Sequence, residues 1–189
     1  MPTTRRPLRS ASRRLWPPEL RSMATGATDN LNVVRVDYRD PLHARSLVQM
    51  LDSYARDPAG GASPLSDFAR ANLAAALAER PQAFSVLAFD GEQPVGLVNC
   101  FEGFSSFACR ALVNVHDLAV APSHRGRRVG ERMLVLVEQI ARERKACKLT
   151  LEVLSGNHSA NKLYARVGFA SYQLDPAMGH AQFLQKWLD

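Results

Sequence analysis

The chain has 189 residues, 46% hydrophobic and 22% charged, enough for one domain with a packed core, and no apolar run approaches the roughly 20 residues that span a bilayer. Its three cysteines, Cys100, Cys109 and Cys147, are odd in number and lack metal-ligand spacing, so neither a disulfide framework nor a zinc site is expected, and a reducing cytoplasm fits best. The formal charge of +6 is concentrated at one end: residues 1–22 carry six arginines and one acid, which leaves +1 for the remainder and argues against a basic nucleic-acid-binding surface.

Residues 1–28 read as a disordered basic extension, rich in Pro, Arg and Ser and without a hydrophobic period. Translation from Met23, a functional basic tail and an organelle-targeting signal are the competing readings of this stretch. Pro17-Pro18 would interrupt the amphipathic helix that such a signal uses. The folded domain is expected over 29–189.

From there helices and strands alternate. "NVVRVDY" (32–38) reads as a strand, and "PLHARSLVQMLDSYA" (41–55) as a helix opened by proline. A loop, "RDPAGGASP", leads to a second helix over 65–79. "AFSVLAFD" and "PVGLVNCFEGF" form a hairpin across "GEQ", and "ALVNVHDLAV" (111–120) adds a third antiparallel strand. In the run 129–146, Val129, Met133, Leu136, Val137, Ile140 and Ala141 recur at spacings of three and four, one apolar face of a helix lying on the sheet. "KLTLEVL" (148–154) reads as a buried strand, "SANKLYARVG" (159–168) as a short helix, and "GFASYQL" and "AQFLQKWL" as closing strands. The expected class is α/β (α+β), a mixed, mostly antiparallel sheet of 6–7 strands flanked by about four helices.

Between the third antiparallel strand and the long helix lies "SHRGRRVGE". Consecutive backbone N–H groups from Arg125 to Gly130 entering a helix N-terminus make a ready anion site, and glycines let a phosphate approach the main chain. A nucleotide P-loop is excluded because no Lys-Ser/Thr follows the second glycine. "GRRVGE" is also not the G-x-G-x-x-G of dinucleotide folds.

"RGRRVG" after "VHDLAV", then "LTLEVL", then N-x-x-A-x-x-x-Y-x-x-x-G-F from Asn157 to Phe169, resembles the GNAT superfamily of acyl-CoA-dependent N-acetyltransferases over about residues 34–188. Arg125 and Gly130 match the family's Arg/Gln-x-x-Gly-x-Gly/Ala loop, while Arg128 replaces its middle glycine. The resemblance implies acetyl-CoA as co-substrate and no metal. It implies a pyrophosphate on the amides of Arg125, Gly126, Arg127, Arg128, Val129 and Gly130, and a pantetheine arm along Leu118, Ala119 and Val120. Asn157 and Ala160 would meet the coenzyme, and Tyr164 would protonate the departing thiolate. His116 and Asp117 look like the Glu-Asp pair of polyamine and thialysine acetyltransferases, with His116 in place of the glutamate as base, since an imidazole changes charge in the neutral range. Strict strand alternation would send these two to opposite faces, leaving His116, Asp117 or water as the base.

For Arg128, the expectation is right-handed backbone angles at the helix start and a guanidinium free to clamp a coenzyme phosphate. The acceptor site is expected near Glu102, with Phe104 and Phe107 walling an apolar slot. Few carboxylates in "DPAGGASPLSD" and "FEGFSSFACR" argue against a polyamine and leave a small amine, an amino-acid side chain or a peptide N-terminus. A non-catalytic acyl-CoA sensor and a basic nucleic-acid-binding module are the alternatives to an acetyltransferase. Neither nucleic acid nor membrane is an expected partner, and a homodimer is the candidate assembly.

Overall fold

A computed structural model of the chain describes residues 30–172, 177, 179 and 182–188. Five strands run in spatial order β1 (Leu31–Arg35), β2 (Ala83–Asp90), β3 (Gln93–Ser105), β4 (Arg110–Val120) and β5 (Leu149–Leu151). The first three pairings are antiparallel, and β4 meets β5 in parallel. Helices α1 (Pro41–Ala55) and α2 (Asp67–Ala78) cover one face of the sheet, and α3 (Val129–Glu143) covers the other. The short α4 (His158–Arg166) follows β5.

Both faces of the central strands are buried, which is why "AFSVLAFD" and "VGLVNC" read as continuous apolar runs. On the α3 side Val86, Val98, Val113 and Val115 pack against Val129, Met133, Val137 and Ile140. On the other side Leu87, Phe89 and Leu97 pack against Leu47, Met50 and Leu77. Caps define the helix starts. Asp40 accepts the N–H groups of Leu42 and His43 at 2.7 and 3.0 Å, ahead of Pro41, and Ser66 accepts that of Ala69 at 3.1 Å.

Helix α3 stops at Glu143, three residues before the end of the expected run 129–146. Lys145 turns left-handed (φ 58°), its N–H donates to the Arg142 carbonyl and that of Ala146 to the Ala141 carbonyl, a Schellman ending built on a lysine. The sheet has five strands among the described residues, where 6–7 were expected. Residues 168–172 and 182–188 form no strand, and the remainder of both closing segments lies outside the described residues. Tyr172, Phe183, Leu184, Trp187 and Leu188 stay exposed, so a strand-like apolar pattern here has no paired neighbour to complete its ladder. The extension 1–28 also lies outside the described residues.

Candidate active site

The loop between β4 and α3 is built to hold an unusual backbone. After Val120, Pro122–His124 form a 3-10 turn, and the buried His124 ring lies between Ser123 Oγ (2.9 Å) and Asp90 Oδ2 (3.0 Å) at the end of β2. Arg127 Nη1 reaches the same carboxylate at 3.5 Å. The bond with His124, joined by the charge of Arg127, holds the Asp90 carboxyl below its ordinary range. Gly126 (φ 82°) and Arg128 (φ 60°, ψ 19°) then adopt left-handed angles. Arg128 therefore departs from the right-handed expectation: a position that favours glycine for its backbone hand carries an arginine.

Arg128 stands at the N-cap of α3, and no side chain caps that helix, whereas Asp40, Ser66 and Asn157 cap α1, α2 and α4. The first-turn amides and the positive end of the helix dipole favour an anion there. At Gly130 a Cβ would lie 2.8 Å from Leu163 Cδ2, so α4 rests directly on this first turn. The arginine side chains of the loop have carboxylate partners. Arg128 Nη1 lies 3.9 Å from Glu131 Oε1, and the buried Glu131 binds Arg166 Nε at 3.0 Å. Arg125 donates to the Val120 carbonyl at 3.2 Å and to Asp57 Oδ2 at 2.8 Å, tying the loop to the α1–α2 connection.

Strand β4 leads into this loop along an edge that β5 covers only at Val113–Val115. Leu118, Ala119 and Val120 lie beyond that pairing, with Leu118 and Val120 packed toward α3. Where the two strands part, β4 bulges. Asn99 faces Asp117 and Cys100 faces Val115, so His116 is the extra residue. The bulge interrupts alternation, and His116 and Asp117 end on the same face, that of α1 and α2, rather than on opposite ones. His116 sets its ring edge-on to Phe101 (5.3 Å, 83°), and Asp117 Oδ2 accepts Asn99 Nδ2 at 3.0 Å.

Asp117 ends a chain of hydrogen bonds through the sheet. An ionised carboxylate only accepts, so Asn99 turns its amide N–H to Asp117 and its carbonyl to Ser85 Oγ (2.6 Å). Ser85 in turn receives the Tyr38 hydroxyl at 2.9 Å. Every donor points toward Asp117, the arrangement that supports its negative charge.

Tyr164, on α4, is largely enclosed and sits edge-on to Phe169 at 5.8 Å. Burial, with a smaller contribution from Tyr54, pushes its hydroxyl up to about 12, so it carries its proton throughout the neutral range. Tyr54, from the last turn of α1, is held above its ordinary value by burial and then by the charges of Asp117 and Asp57. Its phenol thus lies within electrostatic range of both Tyr164 and Asp117. Asn157 and Ala160 are joined to each other: Asn157 Oδ1 caps α4 by accepting the Ala160 N–H at 3.2 Å.

The expected acceptor residues do not assemble there. Glu102 turns to the α3 face and binds Arg144 at 3.0 Å, while Phe104 and Phe107 are exposed on the β3–β4 hairpin. Tyr54, Ser85, Asn99, Tyr38, His124 and Asp90 entered no sequence-based site. For Ser85 and Asn99 the available signal was a polar residue inside an apolar strand. For Tyr54 no local signal exists. Among the described residues no group of three or more His, Cys, Asp or Glu is placed to hold a metal ion, and no helix is long and apolar enough to cross a membrane.

Comparison with known proteins assigns this mixed sheet and its uncapped helix start to a family. The model of the acetyltransferase (GNAT) family matches residues 44–169, and the chain belongs to that family. Streptothricin acetyltransferase of Streptomyces lavendulae is 38% identical over 78 residues, which span 41% of this chain and 41% of that enzyme. Ribosomal-protein-alanine N-acetyltransferase from Brucella melitensis biovar Abortus 2308 shares the fold with a TM-score of 0.62 and 19% identity, covering 83% of this chain and 99% of its own. AAC(6')-Iy, solved with the bisubstrate analog CoA-S-monomethyl-acetylneamine, has a TM-score of 0.66 and 13% identity, covering 84% and 99%.

Proposed function

We propose that the protein is an acetyl-CoA-dependent N-acetyltransferase acting on a primary amine of a small molecule. The observation that carries this reading is the uncapped first turn of α3 standing at the end of the β4 edge that β5 leaves uncovered. Pyrophosphate suits the amides of Gly126, Val129 and Gly130, and an extended arm suits the edge of Leu118 to Val120. When bound, the coenzyme supplies the acetyl thioester.

Around that position the side chains divide the work. Asp117, oriented by Asn99, pairs with the incoming ammonium and aligns it. His116 takes the first proton from the ammonium, which frees the nitrogen lone pair to attack. As the new C–N bond forms, the C–S bond breaks and the sulfur takes the Tyr164 proton, which that hydroxyl carries throughout the neutral range, and the nitrogen's second proton returns to the Tyr164 oxygen. Charge near the cleft favours a small acceptor over a polycation. Asp57 is paired with Arg125 and Asp67 with Arg70, whereas Asp117 is held by a neutral amide instead of an arginine. The named substrates of streptothricin acetyltransferase and the acetylneamine analog of AAC(6')-Iy point to the same class.

The test is thiol release from acetyl-CoA against a panel of streptothricin, aminoglycosides, simple alkylamines and an alanine-first peptide, with the product identified by mass. Turnover on small amines with loss of rate in Asp117→Asn is expected. Turnover on the peptide alone would overturn the acceptor class, and coenzyme binding without turnover on any amine would overturn the enzyme reading.

A further inference from the structure

The end of the sheet remote from the loop 121–128 carries a cleft of about 360 Å³ ringed by arginines from four parts of the chain. Arg35 ends β1, Arg39 lies in the turn before α1, Arg80 precedes β2 and Arg144 follows α3. Their charges are not equally offset. Arg144 is fixed by Glu102 (3.0 Å) and the Pro81 carbonyl (3.2 Å), with its guanidinium 4.8 Å over the Phe84 ring. Among the described residues Arg35, Arg39 and Arg80 have no acidic partner within ion-pair distance. The lining carboxylate, Asp37, accepts the Arg39 backbone N–H at 2.9 Å. Three uncompensated guanidiniums against one carboxylate leave two positive charges facing a concave surface whose accessible apolar part is Ala78 and Pro81, above the buried Val36, Leu77, Ala83 and Phe84.

We propose that this cleft binds a small dianion of the phosphomonoester class. A phosphomonoester carries a charge of about −1.5 to −2 at neutral pH, which matches the excess. Planar guanidiniums grip phosphate oxygens in pairs, and the apolar surface receives the organic body of the ester. The volume falls at the small end of the range for ligand pockets. A cationic amine is repelled here. The coenzyme is remote as well: Ala83 and Asp90 mark opposite ends of β2, roughly 23 Å apart at about 3.3 Å per residue, and Asp90 anchors the coenzyme-side loop.

Calorimetric titration of the full chain with phenyl phosphate and with inorganic phosphate, at fixed ionic strength and with or without excess CoA, tests the assignment. Saturable binding is expected, tighter for phenyl phosphate and indifferent to CoA. Its affinity should fall about tenfold or more in Arg35→Ala/Arg80→Ala, as when a charge-assisted hydrogen bond is removed. Arg39→Ala, altering a solvent-facing turn residue, provides a second variant that keeps the fold and should weaken binding in the same direction. Absence of saturation, displacement by CoA, phenyl phosphate binding no tighter than phosphate, or unchanged affinity in Arg39→Ala would overturn the proposal.

Discussion

Replacing Arg128 by glycine and, separately, by alanine isolates the backbone hand of the α3 N-cap. At φ 60° and ψ 19° a non-glycine residue bears about 1–2 kcal/mol of strain. Glycine removes that strain, but its greater freedom in the unfolded chain costs about 0.4–1 kcal/mol. Both variants lose the half-exposed pair with Glu131 at 3.9 Å, worth about 0.2–0.5 kcal/mol, so that loss cancels in the comparison. Alanine keeps the left-handed strain. Arg128→Gly should therefore be more stable than Arg128→Ala by about 1 kcal/mol, or about 2–4 °C in melting temperature for a chain of this length. Thermal and denaturant unfolding followed by circular dichroism measure both. An alanine variant as stable as the glycine variant, or more so, would refute the left-handed assignment. Because the guanidinium leans toward Glu131, both variants should keep CoA affinity within about threefold by calorimetry.

Tyr164→Phe should lower turnover by about a hundredfold or more with little change in CoA affinity, since only the donated proton is removed; stopped-flow thiol release separates the two. His116→Ala should lower turnover about a hundredfold with CoA affinity kept, and an unchanged rate would move the proton to another acceptor. Asn99→Leu strips both Ser85 and Asp117 of their partner, so it should cost about 1–3 kcal/mol in urea unfolding and reduce turnover. Asp90 has a folded value below its unfolded one of about 3.9, so its stabilisation is present above that pH and is lost as pH falls through the lower folded value. Asp90→Asn should accordingly flatten the fall in melting temperature below about pH 4 while lowering the plateau above it.

Local chemistry made the helices and the long strands legible. Asp40-Pro41 announces α1, the 3.6-residue recurrence from Val129 to Ala141 announces α3, and the spacing of "RGRRVG" to Asn157 and Tyr164 marks the family, because each signal lies within a few turns of chain. What escaped depends on partners far apart. The left-handed Arg128 is set by how the loop is tied to Asp90, 38 residues earlier in the sequence. The common face of His116 and Asp117 comes from a bulge that exists only in register with Asn99 and Cys100. Glu102 was expected at the acceptor and lies with Arg144, and Arg125 spends its guanidinium on Asp57, pairings across 42 and 68 residues that no periodicity encodes. The sequence by itself determined which segments could be helix or strand and where the loop between β4 and α3 would fall. The tertiary structure alone decided which charges neutralise one another and which side of the sheet the reactive groups share, because register, bulges and ion pairs are set by strands and helices packed against each other and not by neighbours along the chain.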